Sequence, residues 1–241
     1  MTSTAKPAAF SIQQQDPLSL PDIPGGAGTI ADRLYTILEE AIIDRRLAPG
    51  THLKAETLCR RYGVSMIPVR EAIRTLQANG WAVAKPHHGS YVVRGTVDEL
   101  GDLYEARTVL ETAASRLAAQ RRSADDLSKL EAAVEQGNEL VRLETPSRFA
   151  KLNSEFHELI AEATHNGTLM DVQRRLSQRL RFYSSVLPMD RVQRSVEEHA
   201  ALVEAIKRQD AVAAEAIALE HIGKSKAEVS VQLPTAAAAE D

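Results

Sequence analysis

The sequence predicts a mainly α chain in two parts: a small three-helix head closed by a β-hairpin, then a larger all-α antiparallel helical bundle. Three observations lead there. Hydrophobic patterning changes near Thr96, where short helical stretches and alternating residues give way to six long helical periods with no strand alternation. Charge changes at the same place: residues 29–95 carry 10 Lys/Arg against 6 Asp/Glu, and residues 96–241 carry 18 against 25. The net charge of −4 therefore conceals a basic head of +4 and an acidic body of −7. Third, 241 residues give room for two small domains.

Residues 1–28 hold three consecutive glutamines, Pro17, Pro21, Pro24 and Gly25-Gly26 without a hydrophobic period, and read as a flexible leader. The head follows over 29–95. Ile30, Leu34, Ile37, Leu38 and Ala41 keep one helical face apolar, and that helix stops before Pro49-Gly50. A second helix spans about Ala55–Tyr62 and ends at Gly63, a residue that tolerates the left-handed conformation after a helix. The third has Ser65 as N-cap, Pro68 in its first turn where a missing N–H breaks no helical bond, and Val69, Ala72, Ile73 and Leu76 as its buried stripe. Trp81–Lys85 and Ser90–Arg94 alternate as strands around Pro86-His87-His88-Gly89. Two short helices about a tight glycine turn, then a hairpin, make a winged helix-turn-helix.

The body over 96–232 reads as helices at roughly 97–120, 124–143, 146–164, 168–186, 190–208 and 210–229, with breaks at Ser123, Pro146, Asn166-Gly167, Pro188 and Asp210. Asn166 is expected to close the helix before it. Six such helices pack as a bundle. Residues 233–241 read as a disordered tail.

Composition excludes several classes. Cys59 is the single cysteine, so the chain has no internal disulfide framework and no multi-cysteine metal site. It reads as a small buried filler and suits the reducing cytoplasm. No apolar run approaches the ~20 residues of a membrane span, and the N-terminus lacks the apolar core of a secretory signal. A cytoplasmic protein without a membrane partner is expected.

The most informative stretch is Gly63-Val64-Ser65-Met66-Ile67-Pro68-Val69-Arg70-Glu71-Ala72-Ile73, with Leu47-Ala-Pro-Gly-Thr-His-Leu53 upstream and the wing around Gly89. These residues resemble the GntR superfamily of bacterial transcription regulators, in which they form the turn and recognition helix. The resemblance implies double-stranded DNA as partner. The first turn of the third helix then enters the major groove. Arg70 is the base reader of choice, since a guanidinium bonds O6 and N7 of guanine in pairs. Ser65 contacts phosphate or a base edge, Arg74 and Lys85 serve phosphate, and His88 and Gly89 at the wing tip approach the minor groove. The family usually has Arg and Thr where this chain has Met66 and Ile67; apolar groups there meet a thymine methyl, so the family's usual operator is not carried over. The plainer reading of Arg70 alone is a solvated charge paired with Glu71 or Glu40.

In the body, Asn153 and His157 stand one helical turn apart, beside Phe149, Leu152, Phe156 and Ile160. His199 shares a face with Val203 and Ile206, and His221 with Ala214 and Ile217. Any one of these is ordinarily a hydrogen-bonded core histidine. Three on inward faces, with an oxygen donor beside the first, point to a divalent metal, Zn or Ni, with open positions for water or an anion. Residues 96–229 resemble the FCD effector domain of the FadR-type branch through Leu103-Tyr-Glu-Ala-Arg107, Glu111, Asn153-Ser-Glu-Phe-His157, Asn166, Glu198-His199 and Asp210 leading to His221. Six helices are similar to the shorter, VanR-like subgroup. Metal-binding members usually offer aspartate where this chain has Asn153, which brings no charge. The resemblance implies a small carboxylate effector beside the metal. Arg107 is the first choice for its clamp and Arg181 the second; an i,i+4 ion pair of Arg107 with Glu111 stays open as the alternative.

The leading expectation is a homodimeric, ligand-responsive regulator, a repressor in preference to an activator, on a pseudo-palindromic operator. A metal-responsive regulator uses the same residues. A helical metalloenzyme is the third reading: His157-Glu158 begins the motif H-E-x-x-H, but Ala161 stands where the second histidine is required.

Overall fold

The computed structural model describes residues 20–145, 148–183 and 188–230. It divides into two compact units, Met1–Arg94 and Gly95–Asp241.

In the first unit α1 (Ile30–Ile43) opens on a reciprocal cap: Asp32 N–H donates to Thr29 Oγ1 at 3.1 Å, and Thr29 N–H donates to the Asp32 carboxylate at 2.9 Å. Such a box satisfies two otherwise orphaned donors. α2 (Ala55–Tyr62) ends on Gly63 at φ 63°, and α3 (Met66–Ala78) follows from Ser65, whose side chain makes no capping bond. Leu34, Leu38, Ile42, Leu58, Val69, Leu76 and Trp81 bury the shared core. Glu39 ties its rim together, accepting from Trp81 Nε1 at 2.8 Å and from the Tyr35 hydroxyl, which in turn accepts from Asn79. The wing is β1 (Ala82–Lys85) paired antiparallel with β2 (Gly89–Val92), Ala82 opposite Val92 and Lys85 opposite Gly89. The second strand is thus shorter than expected. Its ladder closes when Val93 N–H reaches Trp81 O, before Arg94. Gly89 sits at φ +93°, and a Cβ there would lie 2.6 Å from His52 Nε2.

Part of the leader, residues 20–28, is described. Leu20 is 2% exposed, and Arg61 donates both to its carbonyl and to the Asp22 carboxylate at 2.8 Å. One buried leucine and one arginine hold a segment whose average composition is that of loose chain. The rest of the leader and the tail 233–241 lie outside the described residues.

The second unit has six described helices: α4 (Val97–Arg121), α5 (Ala124–Arg142), α6 (Phe149–Glu162), α7 (Gly167–Tyr183), α8 (Met189–Lys207) and α9 (Ala211–Ser230). Thr96 caps α4, the Ser123/Asp126 box caps α5, and Asp210 accepts from Ala213 N–H at the start of α9. Asn166 does not close α6: its Oδ1 accepts from Leu169 N–H, so it caps the start of α7. The physical reason is that a short side-chain oxygen serves the free N–H groups of a helix start better than the free carbonyls of a helix end. α4 lies along α9 through Ala114, Ala118, Ala214 and Ala218, small residues that let the two axes approach, and Phe156, Ile160, Leu202, Val203 and Ile206 fill the rest. Gly95 starts this unit at φ +70° with the Tyr183 ring 2.8 Å from where its Cβ would be; the Tyr183 hydroxyl donates to Glu99 at 2.6 Å, and Arg179 pairs with the same carboxylate. No described helix is long and apolar enough to cross a membrane.

Candidate metal centre and nucleic-acid interface

The apolar stripe of α4 is broken by two charges, Arg107 and Glu111, both buried. Burying a pair is tolerable only when its hydrogen bonds are completed. Arg107 Nε donates to Glu111 Oε2 at 2.9 Å, and Gln173 Nε2 of α7 donates to Glu111 Oε1 at 2.8 Å. The Arg107–Glu111 ion pair therefore exists. It is also part of something larger, because Glu111 Oε2 lies 3.0 Å from His157 Nδ1 and Arg107 Nη2 lies 2.7 Å from His157 Nε2.

Three helices bring the expected histidines together. His157 of α6, His199 of α8 and His221 of α9 are each 3–4% exposed and offer ring nitrogens within 4.8 Å of one another. Phe156 stacks on His199 with ring centres 3.9 Å apart and fixes its plane. His221 Nδ1 meets Glu198 Oε2 at 2.6 Å, and the buried Arg191 reaches the same oxygen at 3.2 Å. Two imidazoles are thus oriented by a carboxylate that is itself matched by an arginine, the arrangement that sets the tautomer of a metal-binding histidine.

Burial lowers all three imidazole pKa values, His221 to about 4 and His199 well below its ordinary value, where the neighbouring cations add to the effect. Neutral imidazole is the form that ligates metals. Burial pushes the two carboxyls up, but Arg107 with His157, and His221 with Arg191, more than reverse this; Glu111 is held well below the carboxylate range and Glu198 at about 2. The Nε2 atoms of His199 and His221 are buried without a hydrogen-bond partner. Unpaired buried polar atoms are costly, and two of them beside a third imidazole suit a cation.

A narrow cleft with a cavity volume of about 20 Å³ adjoins His157. Arg107, Arg181, Asn153, His157, Tyr104, Ser154, Ser177, Ser195 and Ser225 line it. The expected effector residues Arg107 and Arg181, the expected ligand Asn153 and one histidine therefore share a single cavity. Sequence reading missed the hydroxyl lining and the orienting roles of Glu111, Glu198 and Arg191. Glu198 adjoins His199 in sequence, but only the helix packing shows that it serves His221. His165 stands apart and pairs with Asp126 at 3.0 Å.

In the first unit Arg70 and Arg74 are exposed and border one shallow groove with His52, Lys54 and Gly89. Gln77 Nε2 donates to Ser90 Oγ at 2.8 Å, fixing α3 against the wing. Lys85, His88 and Ser65 are exposed, and Ile67 is 76% exposed. Met66 is half-buried with its sulfur 3.9 Å from Cys59 Sγ, so the outward apolar group at the start of α3 is Ile67. Cys59 is half-buried, short of the full burial expected of a filler, because α2 is only partly covered. His52 and Lys54 lay unassigned in the Leu47–Leu53 stretch and the residue after it; the fold brings them to the groove.

Comparison with known proteins gives two family matches. Residues 30–92 match the model of bacterial regulatory proteins of the gntR family, and residues 102–224 match the FCD domain. The galactonate operon transcriptional repressor of Escherichia coli K12 is 28% identical over 218 residues, covering 80% of this chain and 94% of that protein. The HTH-type transcriptional repressor RspR of the same strain is 27% identical, covering 80% and 86%. Among solved structures, Escherichia coli McbR/YncC superposes with a TM-score of 0.75 at 20% identity, covering 86% of this chain and 99% of that one. A GntR regulator from Rhodococcus sp. RHA1 follows at 0.72 and 22%, covering 85% and 99%.

Proposed function

The chain belongs to the GntR family of bacterial regulatory proteins, with an FCD domain behind its winged head, and from this we propose that it is a repressor whose operator affinity is set by a small carboxylate bound beside a divalent metal. It is a transcriptional regulator, as its relatives are, and not an enzyme. The observation that carries the rest is the buried triad: three neutral imidazoles, two with orphaned Nε2 atoms, the third of which, His157, lines a cleft with the buried Arg107 and Arg181. Imidazole nitrogens suit Zn or Ni. Asn153 supplies a neutral oxygen at the same wall, so these four donors bring no charge and leave open positions for a ligand's carboxylate. In this reading Arg107 and Arg181 pair with that carboxylate. A relative that represses an operon named for galactonate, a carboxylate, fits this class.

At the head, Arg70 reads a guanine edge, Ile67 meets a thymine methyl, and Ser65, Arg74, Lys85, His88 and Gly89 hold backbone and minor groove. Members of this family bind operators and typically act as dimers. A homodimer on a pseudo-palindromic site gives the bundle its lever, since a ligand that favours one spacing of two heads changes operator affinity by its differential affinity for that spacing.

The test is metal analysis of the purified protein, then a thermal-shift screen of sugar acids and other carboxylates with Zn or Ni, and a gel shift on the operator with the best hit. A metal-dependent shift with release from the operator is expected; full operator release by metal with no carboxylate present would favour the metal-responsive reading.

A further inference from the structure

Arg107 holds partners of opposite kind. Its Nε donates to Glu111 Oε2 at 2.9 Å, and its Nη2 lies 2.7 Å from His157 Nε2. A guanidinium has donors only, so His157 Nε2 is the acceptor and the ring proton sits on Nδ1, where Glu111 Oε2 receives it at 3.0 Å. The Nε2 lone pair is then the only one that His157 can give, and Arg107 holds it. His221 is held otherwise: its Nδ1 meets Glu198, Arg191 matches that carboxylate, and its Nε2 has no partner, nor has that of His199. Among three imidazoles within ligating reach of one another, one alone has its lone pair taken by a cation belonging to the protein.

Resting on the metal reading above, we infer that Arg107 is a built-in competitor for the metal: a divalent cation and the Arg107 guanidinium take the same lone pair of His157 in turn. Glu111 keeps its place in both arrangements, because Gln173 anchors its other oxygen at 2.8 Å. The side chain that yields lines the cleft, so a metal arriving at His157 frees Arg107 Nη2, with Nε still on Glu111, at the wall where a carboxylate would meet it. One residue thereby couples metal and ligand, and such coupling is reciprocal.

The experiment is calorimetric titration of the chelator-stripped full chain with Ni²⁺ alone, for the wild type, Arg107→Met, His157→Ala and the double variant. Arg107→Met is expected to bind about tenfold tighter than wild type, within the usual range of couplings between sites. The gain should vanish in the His157→Ala background, because it acts through that one lone pair. Equal tightening in both backgrounds would mean that only the positive charge matters and would overturn the inference, as would no tightening. Circular dichroism checks the helices, and Arg107→Gln replaces Met if that variant does not fold. Wild type that binds while Arg107→Met gains nothing leaves the metal reading standing alone. Binding by Arg107→Met only would leave the competitor standing alone, and binding by neither would sink both.

Discussion

The head and the bundle keep their chemistry in opposite places. Arg70, Arg74 and Lys85 stand exposed on α3 and the wing, and Ile67 is 76% exposed, whereas His157, His199 and His221 are each 3–4% exposed inside the bundle. A recognition surface of the first kind can change its preferences with little cost to folding, since exposed side chains support few contacts. A site of the second kind is made of core. Phe156 stacks on His199 and meets His157 edge-on, and the carboxylates are matched by buried arginines, so altering the site alters the fold.

Four substitutions probe that contrast. Phe156→Ala has the largest expected effect: it removes a fully buried ring and the plane against His199, and should cost about 3–5 kcal/mol in chemical denaturation and abolish metal-dependent stabilisation. Retained metal response in a destabilised bundle would break the claim that sensor and core are one. Arg70→Ala should weaken specific operator binding by about 1–3 kcal/mol in a gel shift while leaving the melting temperature unchanged. An unaltered gel shift would remove Arg70 from base reading. Asn153→Asp puts an anion one helical turn from His157 and should tighten Ni²⁺ binding by about tenfold, near 1.4 kcal/mol; no change would place Asn153 outside the coordination sphere. Asn166→Ala deletes the cap of α7 and should cost about 1 kcal/mol of stability with operator and metal affinity untouched.

The head was legible because its signal is local. Gly63, Pro68, Arg70 and Gly89 fall within one short stretch, and each has a conformational or chemical reason for its position. The histidines of the bundle were legible one at a time, through the inward face each shares with apolar neighbours. What held them was not legible, because Glu198 serves His221, 23 residues away, and Arg107 reaches His157 across 50. Helical periodicity reports which face is buried and is silent on which buried faces meet. The same limit explains Arg107, where the simple i,i+4 pair and the more distant role are both present. In the leader, averaging over composition passes over one buried leucine, Leu20.

Gly95 carries a consequence for anyone who would rebuild this protein. The Tyr183 ring fills the volume that a side chain at position 95 would need, and the backbone there is at φ +70°. The bundle thus begins with a residue whose replacement would strain the backbone and displace the Tyr183 ring, while Arg94 before it is exposed. A chimera that grafts a foreign reading head onto this bundle should be spliced between Arg94 and Gly95, with the glycine kept on the bundle's side of the seam. A seam two residues later would discard the glycine and the Thr96 cap together, and the graft would begin on a frayed α4.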